Sequence, residues 1–304
     1  MDITFNVTYI TLDGFIQLHE YRFLYFVFMF TVYILILCCN IIIVCLIVTQ
    51  KSLHEPMYIF IAALLLNSVM FSSVVYPKLL IDILSERQII SYSVCFFQHF
   101  LYYSLSGSEF LLLTVMAYDR YVSICKPLQY PTIMRRRTVS TLLIYAWITP
   151  AFHLSLSLMA VRILNERPCS YTLNGITCNS PLYYLLCMHL EVLVIVDMLT
   201  LLNVALIPVV FILFSYTRIL TISYRSSNEV KKKALHTCVP HLLVLLSFSC
   251  FGGYDVITVE LEYEISKLVH LAVTLQIIVV QPLFNPFIYG LKMKEISKHL
   301  KRLV

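Results

Sequence analysis

Residues 95–121 read CFFQHFLYYSLSGSEFLLLTVMAYDRY, an apolar stretch that ends in the charged pair Asp119 and Arg120. A stretch of this length can cross about 30 Å of hydrocarbon as a helix. An arginine costs roughly 2.5 to 3.5 kcal/mol at the centre of a bilayer. The charged pair is therefore expected near one membrane surface, with a polar partner, water or a function that requires it there.

The composition of the whole chain supports a membrane protein. Hydrophobic residues make up 60% of the 304 residues and charged residues 13%, whereas a soluble domain is roughly half apolar and a quarter charged. Seven apolar runs are long enough to span a bilayer, and they predict one all-α domain over residues 1–304, a seven-transmembrane helix bundle. The runs cover residues 23–49, 57–76, 95–118, 140–161, 192–217, 238–259 and 268–290.

The basic residues predict the orientation of this bundle. Most of the 22 Lys and Arg residues fall on the side that carries Arg120 and the C-terminus, and the positive-inside rule makes that side cytoplasmic. The multi-pass chain is then expected in the plasma membrane, with an extracellular tail over residues 1–22 and a long second extracellular loop over residues 162–191. The net charge of +5 reports topology, so no nucleic-acid partner is expected.

Both ends of the chain carry further signals. No removable signal peptide is evident, so the first span is expected to target the chain. Asn6 starts an Asn-Val-Thr tripeptide on the extracellular side and is expected to be glycosylated. Apolar residues recur at helical spacing among lysines in 291–304, which predicts a short amphipathic helix on membrane lipid. A frayed basic tail is the alternative.

Four of the ten cysteines fall on the extracellular side, where disulfides form: Cys95, Cys169, Cys178 and Cys187. Four oxidised cysteines permit three pairings, and the spacing does not choose among them. A bridge from Cys95 to the second extracellular loop would hold that loop over the mouth of the bundle and contribute about 2 to 5 kcal/mol.

Polar residues lie along one face of the third span. Tyr102 and Arg120 are five helical turns apart, roughly 27 Å, and Glu109 and Ser106 lie within roughly 40° of the same line. A polar face of this kind is not expected against lipid. It predicts a small-molecule mouth near Tyr102, Tyr103 and Ser106, a buried acid at Glu109 and a cytoplasmic switch at Arg120.

The role of Glu109 stays open at this point. Its carboxylate could hold a sodium ion with nearby hydroxyl and amide oxygens, could carry a proton, or could accept structural hydrogen bonds. Asp197 and Asp255 lie nearer the outer ends of their spans, where they are interpreted as solvated caps or as ligand contacts.

The chain carries no motif for catalysis or for a cofactor. A His-Glu-x-x-His pattern, a glycine loop for phosphates and paired intramembrane aspartates are all missing from the sequence. No enzyme activity and no cofactor are therefore expected. A transporter would call for an inverted repeat or broken helices, and neither is visible.

Six short motifs occur in order along the chain: PMY at 56–58, MAYDRY at 116–121, VSICKPL at 122–128, SY at 215–216, KALHTC at 233–238 and PLFNPFIY at 282–289. Together they resemble the vertebrate olfactory receptors, which are rhodopsin-like G protein-coupled receptors, over essentially the whole chain. The resemblance implies an odorant receptor of sensory cilia that raises cyclic AMP through a stimulatory heterotrimeric G protein. A related chemoreceptor for an internal metabolite is the alternative.

The resemblance also implies roles for individual residues. The small-molecule odorant would bind in the outer half of the bundle, at Tyr102, Tyr103, Ser106, Thr200, Val204, Ser249 and Val256. Activation would free Arg120 from Asp119 for contact with the G protein. The remaining switch residues are two tyrosines that move inward and a hinge: Tyr216, Tyr289, Asn285 and Pro286.

Disulfide pairs follow from the same resemblance, which implies a bridge from Cys95 to Cys178 and a second bridge from Cys169 to Cys187. The sequence departs from the family at Ser68, where an aspartate is usual. A sodium site would therefore depend on Glu109.

Overall fold

The computed structural model describes residues 9–15, 18–163, 170–179, 191–224, 242, 246, 267–292 and 296–298. Within them the chain is almost entirely helical, as predicted. The helices are α1 (Leu18–Thr49), α2 (Pro56–Leu84), α3 (Tyr92–Cys125), the short α4 (Tyr130–Ile133), α5 (Arg136–Ile163), α6 (Glu191–Leu201), α7 (Ile207–Tyr224) and α8 (Lys267–Lys292). A π-helical turn, Leu202–Leu206, joins α6 to α7.

The described residues contain six helical segments that are long and apolar enough to cross a membrane. They are α1, α2, α3, α5, the continuous α6 and α7, and α8, and they confirm six of the predicted spans. The predicted span over residues 238–259 lies outside the described residues except for Leu242 and Leu246, which are helical. Of the predicted C-terminal helix, residues 296–298 are described as helical, and Ile296 is buried in the core.

Helix α2 extends well beyond the apolar run that predicted it. The run in the second span stops at residue 76, but α2 continues through Pro77 to Leu84. An ion pair between Lys78 and Asp82 joins successive turns in this extension, an arrangement that stabilises helices. The length of an apolar run reflects the thickness of hydrocarbon that a helix crosses. It therefore underestimates the length of a helix that continues into the membrane interface.

A small sheet covers one end of the bundle, and it was not predicted. Its strands are β1 (Tyr9–Leu12), β2 (Ile89–Ser91) and β3 (Thr172–Leu173), in the order β2-β1-β3. Strand β1 is antiparallel to β2 and parallel to β3. Ile10 and Leu12 point into a small core that also contains the cysteine pair at 95 and 178. Strands of four residues or fewer from distant parts of the chain leave no periodic signal.

The prolines of α8 are accommodated by neighbouring helices. A proline has no N–H, so the carbonyl four residues earlier loses its helical partner. Pro286 therefore leaves the Pro282 carbonyl without a helical partner, and Asn40 of α1 donates a hydrogen bond to that carbonyl at 3.0 Å. Pro282 leaves the Ile278 carbonyl without a helical partner in the same way, and the Tyr76 hydroxyl of α2 donates to that carbonyl at 3.3 Å. α1 and α2 therefore replace the two helical hydrogen bonds that α8 lacks.

Candidate functional site

The polar face of α3 points into the bundle, as its helical phase predicts. Tyr102 is buried, and its ring packs against Phe71 of α2 with centroids 5.1 Å apart. Glu109 is only 4% exposed. Ser106, between them, is partly buried. α3 therefore carries a continuous inward face from the disulfide end of the bundle towards Arg120.

Glu109 lies in a hydrogen-bonded network that joins three helices. Its Oε1 accepts hydrogen bonds from Asn285 Nδ2 at 2.8 Å and from Gln281 Nε2 at 3.1 Å, both on α8. Asn285 Nδ2 also donates to Ser68 Oγ of α2 at 3.1 Å. Ser68 in turn donates to the Leu64 carbonyl at 3.2 Å. The residue that departs from the family pattern therefore takes part in the network.

The arrangement around Glu109 is that of a buried carboxylate satisfied by amides. A buried carboxylate is costly unless it is hydrogen-bonded, and here two amide groups donate to it. A hard cation takes oxygen ligands, whereas the two neighbouring amides present N–H groups to Glu109. Among the described residues, His, Cys, Asp and Glu side chains form no group of three that could hold a metal. Sodium binding stays a prediction.

The charged pair at the other end of α3 is held from two sides. Arg120 Nη2 lies 2.9 Å from Asp119 Oδ2. The Tyr130 hydroxyl, on α4, donates to Asp119 Oδ1 at 2.7 Å. Burial, and then the neighbouring Asp119 carboxylate, raise the pKa of Tyr130, so this hydroxyl keeps the proton that it donates. Asp119 itself is 0% exposed.

Tyr130 was missed by the sequence reasoning. It follows Asp119 by 11 residues, beyond the end of α3, and neither periodicity nor spacing places it beside the charged pair. Only the reversal of the chain after Cys125, through the 3-10 turn Pro127–Gln129, brings it back to α3.

The other predicted switch residues lie near the same end of the bundle. Tyr216 of α7 and Tyr289 of α8 are buried in one apolar cluster with Met116 of α3. Asn285 and Pro286 lie inside α8, and Asn285 is part of the Glu109 network. The structure therefore gathers these residues along the inner sides of α3, α7 and α8.

The predicted ligand contacts are brought together only in part. Tyr102 and Tyr103 form an edge contact, and Tyr103 also packs against His99 with ring centroids 4.8 Å apart. Thr200 donates its hydroxyl to the Val196 carbonyl of its own helix. Val204 is buried in the π-helical turn. Ser249 and Val256 lie outside the described residues.

Val204 contacts α3 at a glycine that sequence reasoning missed. A Cβ atom added to Gly107 would lie 2.8 Å from Val204 Cγ1 and 2.8 Å from Pro150 Cβ of α5. Three helical segments therefore meet where α3 lacks a side chain. A glycine inside an apolar helical run is a signal for such an approach, since small residues let helices pack closely in membranes.

Asp197 does not cap its helix. It lies inside α6, and its Oδ1 accepts a hydrogen bond from Ser157 Oγ of α5 at 3.0 Å. The interpretation as a solvated cap is therefore wrong for Asp197, because the acid joins two helices. Asp255 lies outside the described residues.

The disulfide between Cys95 and Cys178 is confirmed, with Cα atoms 5.4 Å apart. It ties residues 170–179 to the start of α3, above the inward face that carries Tyr102. Asn6, Cys169 and Cys187 lie outside the described residues.

Comparison with known proteins identifies a family and several relatives of the chain. Residues 28–304 match the family described as olfactory receptor. The chain is 33% identical to olfactory receptor 11A1 of Homo sapiens, over 98% of this chain and 94% of the relative. It is 36% identical to olfactory receptor 2T1 of Homo sapiens, over 88% and 72% respectively. It is 33% identical to olfactory receptor 4M1 of Mus musculus, over 98% and 95%.

Proposed function

Because this chain belongs to the olfactory receptor family, we propose that it binds a small-molecule odorant in the outer half of its bundle and activates a stimulatory heterotrimeric G protein. The family consists of G protein-coupled receptors, so the protein is a multi-pass membrane receptor and not an enzyme. Its output would be a rise in cyclic AMP. The odorant site would involve Tyr102, Tyr103 and Ser106 of α3, together with Thr200, Val204, Ser249 and Val256.

The proposal includes an orientation in the plasma membrane. The disulfide end would face the outside, with Asn6 glycosylated and a second bridge between Cys169 and Cys187. The Arg120 end would face the cytoplasm, with residues 291–304 against lipid. The distribution of basic residues supports this orientation.

The observation that carries the proposal is the pair of hydrogen bonds that Asp119 accepts. Both of its oxygens are engaged, one by Arg120 and the other by Tyr130, so Arg120 is held against its own helix. Release of Arg120 would require loss of this charge-assisted contact. The structure therefore supports an inactive arrangement that an agonist can shift towards a minor active state.

The Glu109 network supplies a physical connection between the odorant site and Arg120. Glu109 bonds α3 to α8 about two helical turns below Tyr102. A ligand that draws the outer parts of the helices together would change this network first. Movement of α8 would then reach Tyr289, which is buried in the same apolar cluster as Met116, one turn before Arg120 on α3.

A cyclic AMP screen tests this proposal. Cells expressing the receptor would be exposed to chemically diverse small odorants, and at least one agonist is expected. Arg120→Ala should abolish the response while cell-surface expression stays unchanged. Ser106→Phe should reduce the response to the agonist at least tenfold, because it fills the proposed site.

Two results would contradict the proposal. An agonist response that survives in Arg120→Ala would separate signalling from the proposed switch. A response that appears only in a reporter for a different G protein class would overturn the coupling assignment. Cells carrying Asp197→Asn serve as a further comparison, since Asp197 is engaged with Ser157 and the odorant response should stay within about threefold.

A further inference from the structure

The N-terminal segment, residues 9–15, lies across the disulfide end of the bundle. Its strand β1 is the central strand of the sheet, between β2, which directly precedes α3, and β3 of the segment 170–179. Ile10 and Leu12 are 0% and 2% exposed, within the apolar cluster that contains the disulfide. The first residues of a chain are poorly ordered unless something ties them down, and β1 is tied down from both sides.

Backbone hydrogen bonds fasten this segment to two separate connections between helices. On one side, the Leu12 N–H donates to the Gln88 carbonyl, between α2 and α3, at 2.8 Å. On the other side, three successive bonds reach the segment 170–179. They run from the N–H groups of Thr11, Asp13 and Gly14 to the carbonyls of Tyr171, Leu173 and Gly175, at 2.8, 2.8 and 3.2 Å.

Gly14 packs directly against the backbone of the segment below it. A Cβ atom added to Gly14 would lie 2.5 Å from the Gly175 carbonyl carbon and 2.8 Å from the Ile176 nitrogen. Both are backbone atoms, which cannot move aside as the end of a flexible side chain can. A larger residue at position 14 would therefore lift the N-terminal segment away from residues 175–176.

The residues under the N-terminal segment reach the apolar cluster of the proposed odorant contacts. Ile176 is 3% exposed and belongs to the same cluster as Tyr102. Phe15, at the other end of the described N-terminal segment, packs against this cluster and also against the cluster of the disulfide. The N-terminal segment is therefore joined to the surroundings of Tyr102 through both Ile176 and Phe15.

One exposed ion pair connects the N-terminal segment to α8. Lys267, the first residue of α8, donates from Nζ to Asp13 Oδ2 at 2.5 Å, and the two side chains are 50% and 53% exposed. Exposed ion pairs contribute little to stability and are weakened by salt. This link therefore breaks more readily than the buried contacts of Ile10 and Leu12.

We propose that residues 9–15 are a strap that closes the disulfide end of the bundle over Tyr102, and that the ion pair of Asp13 and Lys267 is its latch. The strap rests on the proposed function for the position of the odorant site. A water-borne ligand would reach that site only through the open form. Because closed and open forms are in equilibrium, a broken latch raises the open fraction.

Cysteine accessibility in intact cells tests the strap without an odorant or a G protein. Ser106→Cys places a thiol among the proposed odorant contacts, and Arg87→Cys places one on the exposed turn before β2. The probe is a trimethylammonium methanethiosulfonate, a permanent cation that does not cross the membrane. Peptide mass of the purified receptor gives the modified fraction at each position. The thiol at 106 is expected to react about tenfold more slowly than the thiol at 87, because only the open form admits the probe.

Loosening the strap should raise the rate at position 106 and leave the rate at position 87 unchanged. Asp13→Asn and Lys267→Gln each remove the latch and should raise the rate about two to five times. The two changes together should do no more than either alone, since they break the same contact. Gly14→Ala forces the backbones apart and should raise the rate by about tenfold.

A disulfide across the sheet should have the opposite effect. Thr11 and Ile89 are exposed register partners of β1 and β2. The neighbouring bond from Leu12 to Gln88 makes them a pair that is not hydrogen-bonded, with Cα atoms about 4.5 Å apart, within reach of a disulfide. Thr11→Cys with Ile89→Cys should lower the rate at position 106 below that of the unmodified strap. Thr11→Cys alone is the control.

The outcomes separate the strap, the latch and the proposed function. Reaction at position 106 that is as fast as at position 87, or that is unchanged by the disulfide, overturns the strap. Additive effects of Asp13→Asn and Lys267→Gln overturn the latch. Cell-surface expression shows which variants fold, and the disulfide variant tests the strap even if Gly14→Ala does not fold. If the thiol pattern holds and no odorant raises cyclic AMP, the strap stands and the proposed function fails.

Discussion

Asp119 shows how much a single neighbouring side chain can stabilise a charged residue in this bundle. Arg120 is adjacent in sequence and engages one oxygen, but the buried carboxylate would lack a second strong donor without Tyr130. A hydrogen bond to a charged group contributes about 1.5 to 3 kcal/mol. Tyr130 therefore stabilises the arrangement in which Arg120 is held.

Tyr130→Phe is expected to raise basal signalling. The variant keeps the ring but leaves Asp119 Oδ1 without its donor, which destabilises the inactive arrangement and shifts the population towards the active one by roughly tenfold. The measurement is cyclic AMP without agonist, normalised to cell-surface receptor. Tyr121→Phe at the same end of α3 is the control, since the Tyr121 ring packs on Phe214. Equal basal signals from both variants would contradict the role of Tyr130.

At the level of helices, Gly107 and Pro150 determine how closely α3, α5 and the π-helical turn approach. A π-helix has about one more residue per turn than an α-helix. In the sequence, the π-helical turn and the following Pro208 lie within one uninterrupted apolar run. For this reason the run over residues 192–217 predicted a helix but not the turn that aims Val204 at α3. Apolar periodicity reports which face is buried, and it does not report the distance between helices.

Gly107→Ala is expected to destabilise the receptor by up to about 2 kcal/mol. Alanine favours the helix by about 0.8 to 1.0 kcal/mol, but forcing a methyl group against Val204 and Pro150 costs about 1 to 3 kcal/mol. The check is the Tm of the purified receptor, and adding Val204→Ala should recover part of the loss. Gly290→Ala is the matched control, because among the described residues its Cβ would meet the flexible end of the Ile43 side chain, at 3.0 Å.

Asn40→Leu tests whether the hydrogen bond from Asn40 to the Pro282 carbonyl stabilises the proline-containing helix α8. The substitution leaves the Pro282 carbonyl buried without the Asn40 donor, at an expected cost of about 1 to 3 kcal/mol. The Tm should fall, whereas Asn203→Leu should change it little because that amide donates to the Leu199 carbonyl within the same helical segment. A fall of the same size in both variants would mean that the loss of an amide, and not the α8 carbonyl, causes the effect.

At the scale of the whole molecule, the order of helices and the inward face of α3 follow from apolar length and helical phase. Those signals predicted the burial of Tyr102 and Glu109. They could not predict the sheet at the disulfide end, since its strands Tyr9–Leu12 and Thr172–Leu173 are short and come from distant parts of the chain. Nor could they predict the burial of Asn179, which follows the disulfide-bonded Cys178.

The disulfide is expected to determine the stability of this whole end of the molecule. Cys178→Ser, which removes the bridge to Cys95, should lower the free energy of unfolding by about 2 to 5 kcal/mol. It should also expose the segment over Asn179 to proteolysis. Limited proteolysis of the intact receptor with and without the substitution provides the measurement. Unchanged cleavage near residue 175 would show that the sheet holds the segment by itself.

The bonds that α1 and α2 make to α8 have a consequence for biosynthesis. Asn40 is made 242 residues before the carbonyl that it serves, and Tyr76 is made 202 residues before its own. A ribosome adds residues at about 5 to 20 per second, so the early helices wait in the bilayer for many seconds with these donors directed at an absent partner. A chain that stops before residue 278 lacks both carbonyls and cannot form either hydrogen bond.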